Sequence, residues 1–255
     1  MRTPSYATYQ EAAAACRPYG YEADDLVQVV FQKTKTIRDR LRNGLSIQID
    51  PGVLETLFAT SVAMGRREEL RVLDFGGGCG VHYFFVKAFY GDRININWHV
   101  VETPSMRRKA LELRNDELKF FESIEEARVS LGRIDLTHSA GALQCVPDPW
   151  KYLRELLGCG AQYLLLNRWD ITLGISDIVI VYKSKLSKNG PGSLPSGLND
   201  GITRFPYTFL AKAKVDSVIG KFYNLKYTSE DNSAIHPILL QPTISLSYFA
   251  ELIKD

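Results

Sequence analysis

Arg71-Val72-Leu73-Asp74-Phe75-Gly76-Gly77-Gly78-Cys79-Gly80 reads as a short apolar strand that ends on an acid and runs straight into a glycine-rich turn. Its pattern is D-x-G-x-G-x-G. Glycine has no Cβ and tolerates positive φ, so such a turn bends sharply and lets a ligand approach the backbone. Further along, Asn97-Trp98-His99-Val100-Val101-Glu102 supplies a second strand that also ends on an acid. Strand, glycine turn, helix, strand, acid is the layout of a nucleotide-type cofactor site. The expected fold class is therefore α/β: a doubly wound, seven-stranded, mostly parallel sheet of Rossmann-like form.

The charge around the turn bears on which cofactor it suits. The dinucleotide fingerprint G-x-G-x-x-G, laid on Gly76 and Gly78, asks for glycine at a position that Val81 holds. Asp74 stands two residues before the first glycine. A pyrophosphate at a helix N-terminus wants donors and no adjacent carboxylate. S-adenosylmethionine has no phosphate but carries a sulfonium and an ammonium, which a nearby acid favours. The arrangement thus favours S-adenosyl-L-methionine over NAD. Glu102 suits either cofactor, since a carboxylate there can accept from two ribose hydroxyls.

Composition narrows the class further. The 255 residues are 45% hydrophobic, enough for one α/β domain with an appended helical segment. A net charge of +2 gives no nucleic-acid footprint. Cys16, Cys79, Cys145 and Cys159 lack C-x-x-C spacing, so neither a disulfide framework nor a metal site is expected, and the thiols suit a reducing cytoplasm. The opening MRTPSYATYQEA lacks an apolar signal core, and no run approaches a membrane span. The expected protein is soluble and cytoplasmic; a homo-oligomer is left open.

Residues 1–66 read as a helical segment packed on the core and set to cover its mouth. Ser5 is the expected cap of a first helix, Asn43-Gly44 a helix stop, and Asp50-Pro51 a helix start. Residues 67–255 read as the cofactor domain, with an inserted loop region at about 170–220. Within it, strands are expected at 71–75, 96–102, 118–121, 134–139 and 162–166, alternating with helices as a parallel sheet requires. Pro147-Asp148-Pro149 caps a helix over 150–157. Residues 170–182 are ambiguous between strand and helix, and 187–201 (SKNGPGSLPSGLNDG) is a loop. A helix is expected over 209–219, and final strands over 224–227 and 239–248.

LDFGGGCG, WHVVET and IDLTHSAGALQCVPDPW together resemble the class I S-adenosylmethionine-dependent methyltransferases. Within them, QVVFQKTKTIRDRL (28–41), LDFGGGCG and SAGALQCVPDP (139–149) resemble stretches of a methyltransferase family found among surface-polysaccharide biosynthesis genes. The resemblance implies that Asp74, Gly76, Gly77, Gly78 and Gly80 hold the methionine end of the cofactor and Glu102 its ribose. Glu122 or Ser123 would face adenine, and Ser139, Ala140 and Gly141 would lie where cofactor and acceptor meet. The implied reaction is O-methylation, less readily N-methylation, of a small molecule or glycan precursor. The [DN]-P-P-[YFW] motif of base and glutamine methyltransferases is replaced by His138-Ser139-Ala140-Gly141, and Asp148-Pro149-Trp150 lies too far on to stand in for it. An inactive S-adenosylmethionine-binding protein and an NAD-dependent oxidoreductase are the alternatives.

Methyl transfer to oxygen needs alignment, exclusion of water and a base. Histidine is the natural base. His138, at the end of the strand over 134–139, His82, beside the glycine turn, and Asp170 are the candidate catalytic residues. His99 alternates into a strand and reads as buried; His236 precedes Pro237 in a loop. Arg204, Phe205 and Tyr207 suit a sugar or a carboxylate-bearing acceptor, or else anchor a helix start. The basic run from Lys33 to Arg42 reads as a solvated helix face, with a phosphorylated ligand as the other reading. Cys79 is a small residue in the turn and not a nucleophile.

Overall fold

The computed structural model describes residues 4–16, 20–231 and 241–254. Its centre is five parallel strands: β2 (Glu69–Phe75), β3 (Asn95–Val101), β4 (Leu118–Phe121), β5 (Leu136–Ala140) and β6 (Tyr163–Thr172), in the order β4-β3-β2-β5-β6. Counted from β2 as the first strand this is 3-2-1-4-5, and the order reverses between β2 and β5. In that register Asp74 lies opposite Val100 on one side and His138 on the other. The intervening helices are α4 (Val81–Tyr90), α5 (Pro104–Ala110), α6 (Ile124–Leu131) and α7 (Pro149–Gly158).

Alternate side chains along β2 divide between the two faces, as the pleat demands. Leu70 and Val72 join one apolar cluster, and Leu73 and Phe75 join another. The first cluster also takes in Leu26, Phe31, Ala59 and Ala63, from α2 (Asp24–Arg42) and α3 (Pro51–Met64). The N-terminal helices thus share a core with the sheet. Their boundaries follow local chemistry. Asp50 accepts from the Val53 amide at 3.0 Å to open α3, with Pro51 in its first turn. Asp148 does the same for α7, accepting from Lys151 N at 2.9 Å.

Among the described residues the sheet has ten strands rather than the expected seven. β10 (Thr243–Leu252) runs antiparallel to β6 along its length, with β9 (Tyr223–Asp231) outside it. The expected insertion at 170–220 is a long loop only over 189–201, within the stretch expected at 187–201; the rest holds the end of β6, the antiparallel pair β7 (Ile178–Lys185) and β8 (Ile202–Ala211), and α8 (Lys212–Ile219). The helix expected from 209 begins only at Lys212, because Phe209 and Leu210 are buried in the sheet as part of β8. Pro206 is tolerated within β8 because only Leu210 and Ala211 pair with β6; the edge beside Pro206 lacks that ladder. Ser5 is no cap. It pairs with Ile180 in β1 (Ser5–Tyr6), and Thr8 caps α1 (Tyr9–Cys16) by accepting from Glu11 N at 3.2 Å. Part of the last expected strand, and His236, lie outside the described residues.

Candidate cofactor and acceptor site

Two cavities open over the carboxyl ends of the parallel strands and meet at the β2/β5 switch point. The first, about 1110 Å³, runs from Gly76 and Ala140-Gly141 past Glu102 to Glu122 and Ser123. The second, about 710 Å³, runs from the same junction over Gly77, Gly78 and His82 toward Asp170, Arg168 and Tyr207. Tyr21, Gly76, Glu102, Ala140, Gly141 and Cys145 border both. The N-terminal segment supplies walls: Tyr9 and Ala13 of α1 face the first cavity, Val30 and Thr34 of α2 the second.

Close approach explains the triple glycine. A Cβ on Gly76 would sit 2.1 Å from the Ala142 Cβ, and one on Gly77 would sit 2.2 Å from Oδ2 of Asp74. Gly78, at φ +60°, turns the chain toward the second cavity and gives its amide to Glu102 Oε1 at 2.8 Å. The other Glu102 oxygen accepts its neighbour's amide, Thr103 N, at 2.8 Å. Burial pushes the Glu102 carboxyl up to about 7 against these two bonds. The glycine turn and the acid that ends β3 are therefore joined by one hydrogen bond at the meeting of the cavities.

Several expected contacts fall elsewhere. Asp74 is fully buried and lines neither cavity; Oδ2 accepts from Trp98 Nε1 at 2.9 Å and Oδ1 pairs with His138 Nδ1 at 2.8 Å. Burial raises its carboxyl, but the charge and hydrogen bond of His138, with His82 and Trp98, outweigh it and hold the group below its ordinary value. The carboxylate expected at the ligand thus lies beneath the turn, away from both cavity walls. His138 is likewise fully buried, with Nε2 3.1 Å from Thr56 Oγ1, so as a base it would have no access to an acceptor. Ser139 turns inward, donating to the Phe75 carbonyl at 2.9 Å. Gly80 opens α4 with its α-hydrogen side against Leu118, and it lines neither cavity. For Asp74, His138 and Ser139 sheet register is the reason: their side chains point into layers, not over the strand tips.

His82, Asp170, Glu122 and Ser123 do line the cavities. His82 Nδ1 lies 3.1 Å from Thr56 Oγ1, so the one hydroxyl bridges His82 and His138. Burial, then the charge of His138, push His82 down to about 3, and its ring is neutral at ordinary pH. Asp170 Oδ2 accepts from the Tyr207 hydroxyl at 2.6 Å. Ser123 caps α6 by accepting from Glu126 N at 3.2 Å, while Glu122 is exposed and pairs with Arg107 at 2.9 Å. Phe205 and Tyr207 stand in the wall of the second cavity; Arg204 does not line it. His99 is buried against the Ala127 carbonyl at 3.3 Å, as its alternation implies.

Four neighbours escape sequence reasoning. Thr56 and Tyr21 come from the N-terminal segment, where nothing in the pattern ties them to the turn. Gln144, from the LQ stretch, is 3% exposed and donates to the Arg168 carbonyl at 3.0 Å, while its Oε1 has no partner among the described residues. Lys33 departs from the solvated basic face: its ammonium is buried against the carbonyls of Ser187 (2.7 Å), Asn189 and Gly190 (3.0 Å each), pinning the β7–β8 connection that borders the second cavity.

The fold and this junction define a doubly wound α/β protein with a nucleoside-sized cleft at its switch point. No protein-family model matches the chain, and no curated protein matches its sequence. Solved structures do. An S-adenosylmethionine-dependent methyltransferase of Aquifex aeolicus is 14% identical, over 85% of this chain and 98% of that one, with a TM-score of 0.40. One from Methanosarcina mazei is 12% identical over 82% and 100%, with a TM-score of 0.49. A class I enzyme of this kind from Listeria monocytogenes is 12% identical over 88% and 70%, with a TM-score of 0.45. These are likenesses of chain path and carry nothing about ligand or reaction. Among the described residues, no helix is long and apolar enough to cross a membrane.

Proposed function

We propose that this chain is an S-adenosylmethionine-dependent methyltransferase acting on an oxygen of a small-molecule or glycan-type acceptor. The observation that carries the reading is the Glu102 carboxylate at the junction of the cavities, tied to Gly78 of the glycine turn. The residues fit the cofactor. Backbone replaces side chains along Gly76-Gly77-Gly78, Glu102 offers lone pairs to ribose hydroxyls, and the first cavity ends at Glu122 and Ser123, where a polar base edge would be met. Ala140 and Gly141 leave room where the cavities join. When bound, the cofactor would supply an electrophilic methyl group on sulfur.

The chain's own part is to align, enclose and handle the acceptor proton. His82 suits alignment: held neutral, it offers a hydrogen bond to an acceptor hydroxyl without competing for its proton. Asp170, in the same cavity and hydrogen-bonded by the Tyr207 hydroxyl, would receive that proton. His138 and Asp74 act from behind as positioning residues, fixing His82 through Thr56.

Calorimetry with S-adenosylhomocysteine and NAD tests the reading. Binding of S-adenosylhomocysteine and its loss in Gly78→Val, with the fold retained by circular dichroism, is the expected result. Preference for NAD, or unchanged affinity in that variant, would overturn it.

A further inference from the structure

The second cavity carries cations that its acids do not pair. Arg168, Lys183 and Lys188 line it, and none forms an ion pair within the described residues; Lys185 faces Asp200 at 4.0 Å. The acids facing the same space are engaged: Asp170 takes the Tyr207 hydroxyl, and Glu102 takes two backbone amides.

Arg168 is placed with unusual care. It is the one non-glycine residue at positive φ (53°) among those described. Pairing of β5 with β6 ends at Asn167 and that of β8 begins at Ile171, while the β10 register slips opposite Leu166–Trp169. Arg168 therefore sits on a bulge in the gap between β5 and β8. Bulges re-aim side chains, and a strained non-glycine backbone persists where its surroundings hold it. Here Gln144 holds it, through the bond to its carbonyl, and its stem crosses Gly52, where a Cβ would come 3.1 Å from Arg168 Cδ. Its charge bears on both Tyr21 and His82, which border this cavity. Beside it, Gln144 Oε1 is a buried acceptor with no partner among the described residues. A buried acceptor left unmatched takes its donor from outside the chain, water or ligand.

We infer that the second cavity binds an acceptor bearing an oxyanion, a phosphate or carboxylate, gripped by the Arg168 guanidinium, with a hydroxyl of the same molecule donating to Gln144 Oε1. This rests on reading the cavity as the acceptor side of a methyltransferase. The planar fork of arginine matches either oxyanion. Lys183 and Lys188 at the rim add attraction that salt should weaken.

Calorimetric titration of the full chain with glucose 1-phosphate, glucuronate and uncharged glucose tests it. At least one anion should bind ten times more tightly than glucose, and which one does so identifies the anion's source. Arg168→Gly, which relieves the positive φ, should cut that affinity at least tenfold at an unchanged or higher melting temperature, and Arg168→Lys should restore part of it. S-adenosylhomocysteine affinity should stay within twofold in both variants. Equal affinity for the three probes, no binding of either anion, or anion binding indifferent to Arg168→Gly would overturn the inference. Arg168-dependent anion binding in a chain that ignores S-adenosylhomocysteine would uphold the anion site and sink the methyltransferase reading instead.

Discussion

His138 Nδ1 lies 2.8 Å from Asp74 Oδ1, and neither side chain has any exposed surface. The pair is the base of a buried polar chain that reaches the second cavity through Thr56 and His82. Removing one member of such a pair leaves the other buried and uncompensated, which costs about 3–5 kcal/mol. Asp74→Asn should therefore lower unfolding free energy by roughly that order at neutral pH. The sign with pH follows from the depressed carboxyl. Its stabilisation is complete above the unfolded value, about 3.9, and is lost as pH falls through the folded value. Urea titrations across that range should show the wild-type and Asp74→Asn curves converging in acid; a constant gap would contradict the role given to the pair.

Glu102 should make cofactor affinity depend on pH near neutrality. Its carboxyl is raised to about 7 in the free chain, so it must shed a proton to accept two ribose hydroxyls. Affinity for S-adenosylhomocysteine should rise as pH increases through about 7, and Glu102→Gln should flatten the dependence. For folding the sign is the opposite: a carboxyl raised above its unfolded value contributes stability below that value and loses it as pH climbs through about 7. Glu102→Ala should weaken binding by about 1.5–3 kcal/mol. Binding calorimetry at stepped pH measures the three affinity effects, and thermal unfolding over the same pH steps measures the stability.

Gly77 and Gly78 should not respond alike to alanine. Gly77→Ala drives a Cβ to 2.2 Å from Asp74 Oδ2, so it disturbs the buried pair and should lower the melting temperature strongly. Gly78→Ala meets only Val30 Cγ1 at 3.3 Å, plus the cost of positive φ, about 1–2 kcal/mol. It should fold and bind S-adenosylhomocysteine poorly. Thermal melts paired with binding data would contradict this if Gly78→Ala proved the less stable of the two.

Lys33→Met should loosen the wall of the second cavity more than the fold. Methionine fills the space but leaves three carbonyls without their charged donor, at about 1.5–3 kcal/mol for such a bond. Hydrogen exchange should quicken around residues 187–191 and leave β2 and β3 as protected as before. Unchanged exchange there would remove the staple from the account.

The sequence was legible where chemistry is local. A strand ending in Asp74, a turn that only glycine can make, and an acid six strand positions into the next apolar run together imply β2, the turn and β3. The caps at Asp50 and Asp148 follow from side chains reaching their own backbone. Residues 202–211 were less readable, since Phe205-Pro206-Tyr207 suits either a helix start or an edge strand, and only their pairing with Tyr182, Val181 and Ile180 of β7 decides between them.

By itself, then, the sequence determined that a doubly wound sheet would present a glycine turn and two acids, because strand period, turn geometry and capping act within a few residues. Only the tertiary structure decided which of those groups line the cavities. Register turned Asp74, His138 and Ser139 into the layers, and chain folding over long separations brought Thr56 against His82 and set Gln144 and Arg168 in the wall of the same cavity. Such meetings depend on how sheet faces pack and which edges stay unpaired, and no local pattern along the chain encodes that.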